Sequence, residues 1–282
     1  MRISRCLTAR SLPVFCGAFF VLALPAHAQT GGTMRPGNMG EVDGAQTQLH
    51  DLTDVQRQSN ENPDEMAAYK AFYNAGEPAK KIQLGAAFLK KYPKSLLDEP
   101  VDVGLMDAYY SNQDWKNVYA TADSALALKP DDVYVLTTVG WLIPHVYDPN
   151  DPDAGKLLDT AEQYSKYAID VIPRMEKPQH MNDAEFAQMK AQSALRAHSA
   201  LGLVYFRRDN FEGSAKELEQ STPGTQTPDA TDLYVLGVDY QNLSRFADAA
   251  NAYTRCGQIA GPLQDPCKQG ADAAKKQAPE SK

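Results

Sequence analysis

The chain repeats a short phrase of its own sequence. Residues 201–211 read LGLVYFRRDNF and residues 236–246 read LGVDYQNLSRF, so Leu, Gly, Tyr and Phe recur in the same order at a spacing of 35 residues. An internal period of 20–50 residues is the signature of proteins built from repeated supersecondary units. One such unit cannot bury its apolar face alone, so neighbouring units must stack. The repeat therefore predicts a row of stacked units.

The residues around the two phrases predict that each unit is helical. From residue 65 onward, apolar and small residues recur at intervals of three and four, and Pro falls mostly between the periodic segments. The stretch DDVYVLTTVGWLI, residues 131–143, has strand propensity. No neighbouring segment, however, alternates with the period of two that a partner strand would show. We therefore expect an all-α protein, with this stretch helical as well.

Further copies of the phrase can be placed in the same frame. Their markers are Leu201, Gly202, Tyr205, Phe211, Ser214, Ala215 and Leu218; Leu236, Gly237, Tyr240, Phe246, Ala249 and Tyr253; Leu105, Tyr109, Trp115, Ala125 and Pro130; and Gly140, Ala161, Ala168 and Pro173. Met106 stands where one copy should carry a small residue, and the earliest copy, residues 67–95, has Tyr69 and Lys81 at such places. Tyr109, Tyr205 and Tyr240 share one position of the phrase and are expected to be buried.

These copies resemble the tetratricopeptide repeat (TPR) family, a 34-residue helix–turn–helix with the signature W-x2-L-G-x2-Y…A-x3-F…P. The resemblance covers about 200 residues. It implies an all-α, right-handed superhelical solenoid of about five repeats, at residues 63–96, 99–132, 133–175, 195–228 and 230–262. A capping helix would follow in residues 263–282, because a solenoid needs a polar-faced end. Asp265 is predicted as the N-cap of that helix and Pro266 as its first residue.

Two stretches depart from the repeat. Gly140 and Ala161 are 21 residues apart where the pattern needs 12, and the extra residues fall at 146–156. The acidic residues there do not have the spacing of a calcium-binding EF-hand loop, so an exposed Pro-rich turn is favoured. In the second stretch, residues 174–199, Asn182 or Asp183 is predicted to cap a helix that is longer than the pattern requires.

The N-terminus has the features of a secretory signal peptide. Arg2, Arg5 and Arg10 precede an apolar segment, residues 12–24, and the A-x-A sequence of residues 26–28 predicts cleavage after Ala28. A retained membrane anchor is disfavoured because a span needs about 20 apolar residues. The mature protein is therefore expected in the periplasm or outside the cell, without membrane insertion. Residues 29–60, rich in Gly, Gln, Thr and Asn, are predicted to form a flexible leader.

Cleavage also changes the charge and the cysteine count. Loss of three Arg lowers Lys plus Arg from 28 to 25 against 36 Asp plus Glu, a net charge of −11. Such a chain repels phosphate backbones, so no nucleic-acid partner is expected. Cys256 and Cys267 are the two Cys left, and an even pair in an exported protein indicates a disulfide. Two buried thiols are the alternative.

The sequence contains no recognised catalytic motif. His50, His145, His180 and His198 are scattered, and none has the spacing of a metal ligand. A Gly-rich phosphate loop and a nucleophile elbow are both lacking. We therefore expect a non-enzymatic protein with no cofactor and no metal, although a site could still be assembled from distant residues. A periplasmic enzyme or small-molecule binder is thus the less favoured alternative.

The TPR resemblance implies a concave groove that binds a protein or peptide partner. The positions that line such a groove hold Tyr73, Tyr110, Trp141, Leu203, Phe206, Arg207 and Tyr234. Large amphipathic side chains there suit a binding surface, and the expected ligand is an extended or helical peptide with apolar anchors. Two alternatives remain at this point. The long helix at 181–196, or the leader, could fill the groove, or the protein could be a structural subunit of a cell-envelope assembly or secretion complex.

Overall fold

The computed structural model describes residues 62–178, 181–223 and 228–278. The predicted signal peptide, the whole of the predicted flexible leader and the last four residues lie outside these ranges. Within them the secondary structure is helical throughout, with eleven α-helices, one short 3-10 helix and no strand. In the stretch with strand propensity, residues 133–143 lie in a helix, as expected.

The helices are numbered here in chain order. They are α1 (Pro63–Tyr73), α2 (Pro78–Lys91), α3 (Asp98–Ser111), α4 (Trp115–Leu128), α5 (Val133–His145), α6 (Ala154–Val171), α7 (Asp183–Arg207), α8 (Phe211–Ser221), α9 (Ala230–Asn242), α10 (Phe246–Cys256) and α11 (Gln264–Gln277), and the 3-10 helix Ile172–Arg174 follows α6. Of these helices, none is both long and apolar enough to cross a bilayer.

Packing follows the order of the chain. Each helix packs on the next one, and odd-numbered helices also pack on each other: α1 on α3, α5 on α7, α7 on α9 and α9 on α11. Helices α3 and α5 are linked mainly by α4, which packs on both of them. A direct link is the hydrogen bond of 2.6 Å that the Tyr134 hydroxyl of α5 donates to Asp107 Oδ1 of α3. Such sequential packing is consistent with a helical repeat.

The tightest evidence of repetition is in the turns between paired helices. The turns α3–α4, α7–α8 and α9–α10 each have three residues, and their middle residues are Gln113, Asp209 and Ser244, with φ of 58°, 55° and 59°. In each turn the third residue donates its backbone N–H to the carbonyl oxygen five residues earlier, which belongs to Tyr109, Tyr205 or Tyr240. The three tyrosines therefore occupy one structural position, as the phrase predicts.

The glycines of the phrase lie where two helices approach closely. A Cβ atom on Gly202 would lie 2.6 Å from Leu218 of the partner helix, and one on Gly237 would lie 2.6 Å from Tyr253. These distances are well inside van der Waals contact, so only glycine fits without displacing the neighbour. In both hairpins the residue that fills the space stands 16 positions after the glycine.

The hairpin of α3 and α4 departs from this rule, because the large residue, Met106, stands on the first helix and the small residue on the second. Met106 is fully buried, and Ala122, 16 positions later, is buried in the same cluster of side chains. A large residue on α3 therefore faces a small one on α4, the reverse of Gly202 and Leu218. Because cores pack to a nearly constant density, such an exchange keeps the total volume similar.

The first hairpin packs with aromatic residues. Tyr69 and Phe72 of α1 are buried with Phe88 of α2, and a Cβ on Gly104 of α3 would lie 2.7 Å from Phe72. Gly104 on α3 thus makes room for the Phe72 ring of α1. Burial of the phrase tyrosines is less uniform than expected, since Tyr240 is buried while Tyr109 and Tyr205 are partly exposed.

Helix α11 ends the described structure. It packs on α9 and α10, and Cys267 on it lies at disulfide-bonding distance from Cys256 at the end of α10, with Cα atoms 5.7 Å apart. The predicted start of this helix is wrong by two residues, because the helix begins at Gln264 with Leu263 as N-cap. Asp265 and Pro266 lie inside its first turn, where a missing N–H costs little since those N–H groups have no partner in the helix.

The two departures from the repeat have distinct structures. Residues 146–153 form the long connection between α5 and α6, with the backbone N–H of Asn150 donating to Asp148 Oδ1 and that of Asp153 donating to Asp151 Oδ1. Helix α7 has 25 residues, and its start carries a capping box between Asn182 and Glu185. The prediction of Asn182 as a cap of a long helix is therefore confirmed.

Candidate binding surface

The seven predicted groove residues differ in exposure. Tyr73 is 37% exposed, the side chains of Tyr110, Trp141, Phe206, Arg207 and Tyr234 are partly exposed, and Leu203 is only 3% exposed. Leu203 packs with Ala215 and Leu218 in the core between α7 and α8. It therefore provides no surface, because the position after the small residue faces the neighbouring helix here.

Pro144 and Arg207 meet where α5 and α7 end, and Trp141 lies close by on α5. The rings of Trp141 and His145 lie 3.7 Å apart between centroids, at 30°. Arg207 donates from Nε and Nη2 to the carbonyl oxygen of Pro144, at 3.3 and 3.1 Å. Its guanidinium also lies 5.3 Å from the centre of the Tyr147 ring. We call these five residues (Trp141, Pro144, His145, Tyr147 and Arg207) the α5–α7 junction.

The charges of the junction are set by burial. Burial lowers the pKa of His145, against an opposing contribution from Asp229, so the ring is neutral near pH 7. Its Nδ1 faces the carbonyl oxygen of Trp141 at 2.7 Å, which assigns the proton to Nδ1. Burial also lowers the pKa of Arg207, but a guanidinium stays charged at neutral pH. Within the described residues, no carboxylate forms an ion pair with Arg207.

The other predicted residues lie apart from the junction, each against another aromatic ring. Tyr73 lies 6.2 Å from Tyr69, Tyr110 lies 5.7 Å from Trp115, and Tyr234 lies 5.8 Å from Tyr253. Phe206 precedes Arg207 and lies 6.3 Å from Phe211 of α8. Edge and tilted contacts at these distances stabilise aromatic pairs. The structure thus gives a series of partly exposed aromatic pairs, with Trp141 and Arg207 joined in one cluster.

The N-terminal half of α7 covers part of the same side. Met189 is buried, and it lines a cleft of about 450 Å³ together with Val103 of α3 and Tyr134 of α5. Arg196 on the same helix lies 3.4 Å from the Thr138 hydroxyl of α5. The N-terminal half of α7 thus lies against the first halves of α3 and α5, whereas Trp141 and Arg207 lie near the C-terminal ends of α5 and α7.

A pair of buried carboxyl groups lies on α9. Asp232 accepts hydrogen bonds from the hydroxyls of Ser199 and Ser221, both at 2.8 Å, and Asp239 accepts one from Ser214 at 2.6 Å. Burial raises the pKa of Asp232 to about 7 and that of Asp239 to about 8. These groups tie α9 to α7 and α8 and lie inside the repeat core.

Sequence reasoning missed His145 and Tyr147 of the junction. A signal for each was present. His145 is four residues after Trp141, so the two share one helical face, and Tyr147 opens the insertion that breaks the repeat. Among the described residues, no three His, Cys, Asp or Glu side chains converge as metal ligands would. Compared with models of protein families and with curated proteins, the chain gives no match to either.

Proposed function

We propose that this protein is an exported, non-enzymatic TPR scaffold that holds a peptide segment of a partner protein on the face of its odd-numbered helices. The observation that carries the proposal is the α5–α7 junction. Trp141 and Arg207 belong to neighbouring odd-numbered helices, are partly exposed, and are fixed in place by His145 and Pro144. Anchors held in this way lose little conformational entropy on binding.

The repeat geometry supports the same proposal. The shared turn at Tyr109, Tyr205 and Tyr240 and the close helix approach at Gly202 and Gly237 are features that a TPR array would have. In such an array the odd-numbered helices face the concave side. The partly exposed rings of Tyr110, Trp141, Phe206 and Tyr234 would then follow one another along that side.

The side chains favour a ligand with apolar or aromatic anchors and a hydrogen-bond acceptor. Tyr and Trp supply large contact areas at low entropic cost, and Arg is also enriched in binding surfaces. Arg207 uses two N–H groups on Pro144, so further donors of its five remain for an acceptor on the ligand. The charge of this guanidinium, unpaired in the described chain, favours an acidic group or a backbone carbonyl next to the anchor.

The test measures peptide binding with a control on the other helix layer. A displayed peptide library selects ligands of the protein purified after expression of the full chain. The affinity of the best synthetic peptide is then measured by calorimetry for wild type and for a variant with Trp141→Ala and Phe206→Ala. Leu128→Ala is the matched control, because Leu128 is 57% exposed on the even-numbered helix α4 and lines neither cleft.

We expect the double variant to bind the peptide at least tenfold more weakly at an unchanged melting temperature, and Leu128→Ala to bind normally. A large drop in melting temperature would place the two residues in the core and contradict the proposal. Equal losses of peptide affinity in the double variant and in the control would mean that the binding site does not lie at Trp141 and Phe206. In a pulldown from envelope extracts, one stoichiometric partner would favour an assembly subunit over a binder of many clients.

A further inference from the structure

The insertion at 146–153 forms one wall of a second cleft, of about 370 Å³. The opposite wall is the start of α4, where Trp115 and Tyr119 lie one helical turn apart and so share a face. Tyr147 adds a third aromatic ring from the insertion itself. All three rings are partly exposed. The volume is within the roughly 300–1,000 Å³ of small-ligand pockets.

Carboxylates from the insertion complete the lining of this cleft. Asp148, Asp151 and Asp153 all line it, and all are exposed. Asp153 pairs with Lys156 at 3.0 Å. Asp148 and Asp151 each use Oδ1 for a turn within the loop, and in the described chain neither has a hydrogen-bond or ion-pair partner for Oδ2.

The cleft has one cation of its own on the lining, Lys116 of α4. Among the lining residues, this one ammonium is set against two carboxylates that lack an ion-pair partner in the described chain, so the lining itself carries a net negative charge. Burial and the negative charge of Asp151 together raise the pKa of the Tyr119 hydroxyl, on the opposite wall of the cleft, to about 12. The acidic and aromatic sides of the cleft are therefore close enough to act on one ligand.

We propose that this cleft binds an organic cation, with the guanidinium or ammonium group between the rings of Trp115, Tyr119 and Tyr147 and the carboxylates of Asp148 and Asp151. Aromatic faces attract cations, and Trp and Tyr do so more strongly than Phe. A precedent lies in the same molecule, where the Arg207 guanidinium already lies over the Tyr147 ring. The cleft shares Tyr147 with the α5–α7 junction, but the proposal does not require peptide binding there.

Three probes distinguish the sources of such a cation. N-acetylarginine amide represents a protein side chain, choline represents a small quaternary amine, and N-acetylcitrulline amide is the uncharged isostere of the first. Calorimetry on the wild-type protein measures the binding of each probe. We expect the cations to bind with Kd on the order of 1 mM and the citrulline probe to bind far more weakly.

Charge variants test the assignment to these residues. Asp148→Asn with Asp151→Asn keeps both Oδ1 acceptors of the loop and should weaken cation binding about tenfold. Lys116→Gln should strengthen it about twofold to threefold, whereas Asp272→Asn, an exposed control on α11, should leave it unchanged. Binding by arginine amide alone would assign a guanidinium site, and binding by both cations would assign a general cation cage.

Equal binding of the citrulline and arginine probes would overturn the proposal. So would binding that is unaffected by the double Asp variant while its circular dichroism matches wild type. A loss of affinity in Lys116→Gln would also contradict it, because removal of a like charge cannot weaken an electrostatic site for a cation.

Discussion

The guanidinium of Arg207 donates two hydrogen bonds to the carbonyl oxygen of Pro144, at 3.3 and 3.1 Å. Pro144 lies in the last turn of α5, where carbonyl groups have no partner within the helix. Arg207 is the last residue of α7, so one side chain ties together the ends of two neighbouring odd-numbered helices. The Arg207 guanidinium is also part of the proposed binding surface, so the same residue contributes to the stability of the protein and to the proposed binding.

Replacement of Arg207 should weaken this junction. In Arg207→Ala both hydrogen bonds and the packing on Tyr147 are lost, and we expect the free energy of unfolding to fall by about 1–2 kcal/mol. Arg207→Lys keeps the charge but cannot present the planar fork, so it should recover only part of that loss. Urea denaturation measures both, and Lys216→Ala, on an exposed residue of α8 with no ion pair among the described residues, is the comparison. An Ala variant as stable as wild type would contradict the structural role.

Close approach of helices at Gly202 predicts a second change. Gly202→Ala places a Cβ 2.6 Å from Leu218, and overpacking of this kind costs about 1–3 kcal/mol. The control is Gly155→Ala near the start of α6, where nothing lies within 4 Å of the added atom. Better helix propensity should make that variant neutral or up to about 1 kcal/mol more stable. Thermal melts compare the two.

A double variant checks the cause of the Gly202 effect. Leu218→Ala removes the side chain that the new Cβ would meet, so it should be less harmful in the Gly202→Ala background than alone. Strictly additive losses would mean that the steric contact is not the cause.

Burial of Asp232 predicts a dependence of stability on pH. Its pKa is about 7 in the folded protein, against about 3.9 in an unfolded chain. The folded state thus binds the proton more tightly, so the contribution of this group to stability falls as pH rises from about 4 through 7. Asp239, with a pKa of about 8, acts in the same direction.

The test of this linkage is Asp232→Asn. An amide does not ionise, so the variant should lose less stability than wild type between pH 5 and pH 8, with a difference on the order of 2–4 kcal/mol. Urea titrations at the two pH values give the comparison, and Asp272→Asn on exposed α11 is the control for removal of a charge. Parallel pH profiles for Asp232→Asn and wild type would contradict a raised pKa.

Reduction of the Cys256–Cys267 pair should lower the stability of the C-terminal helices α10 and α11. Cys256 and Cys267 are 11 residues apart and both fully buried. Closure of a loop this short contributes about 2–3 kcal/mol in the chain-entropy model. Unfolding with and without reductant measures the contribution, and a Cys256→Ala, Cys267→Ala variant should not respond to reductant. Two alkylatable thiols in the denatured, unreduced protein would refute the bond.

The sequence by itself determined the helical class and the frame of the repeat. Tyr109, Tyr205 and Tyr240 were placed at one position from spacing alone, and in each case the turn that follows has the same hydrogen bond. These are local properties, because a helical period and a short turn depend on residues close in sequence. The middle residues of those turns, Gln113, Asp209 and Ser244, share a positive φ but no residue type, so only the frame could relate them.

Tertiary structure decided which side chains reach the surface. Leu203 and Phe206 are three residues apart on one helix, yet Leu203 is in the core and Phe206 is partly exposed, since the position of α8 and α9 fixes the buried face. Pro144 and Arg207 meet only because α5 packs on α7 across 63 residues of sequence. The cleft at the insertion likewise needs α4 to lie beside residues 146–153. Contacts of this kind depend on how distant helices stack, and no local pattern encodes them.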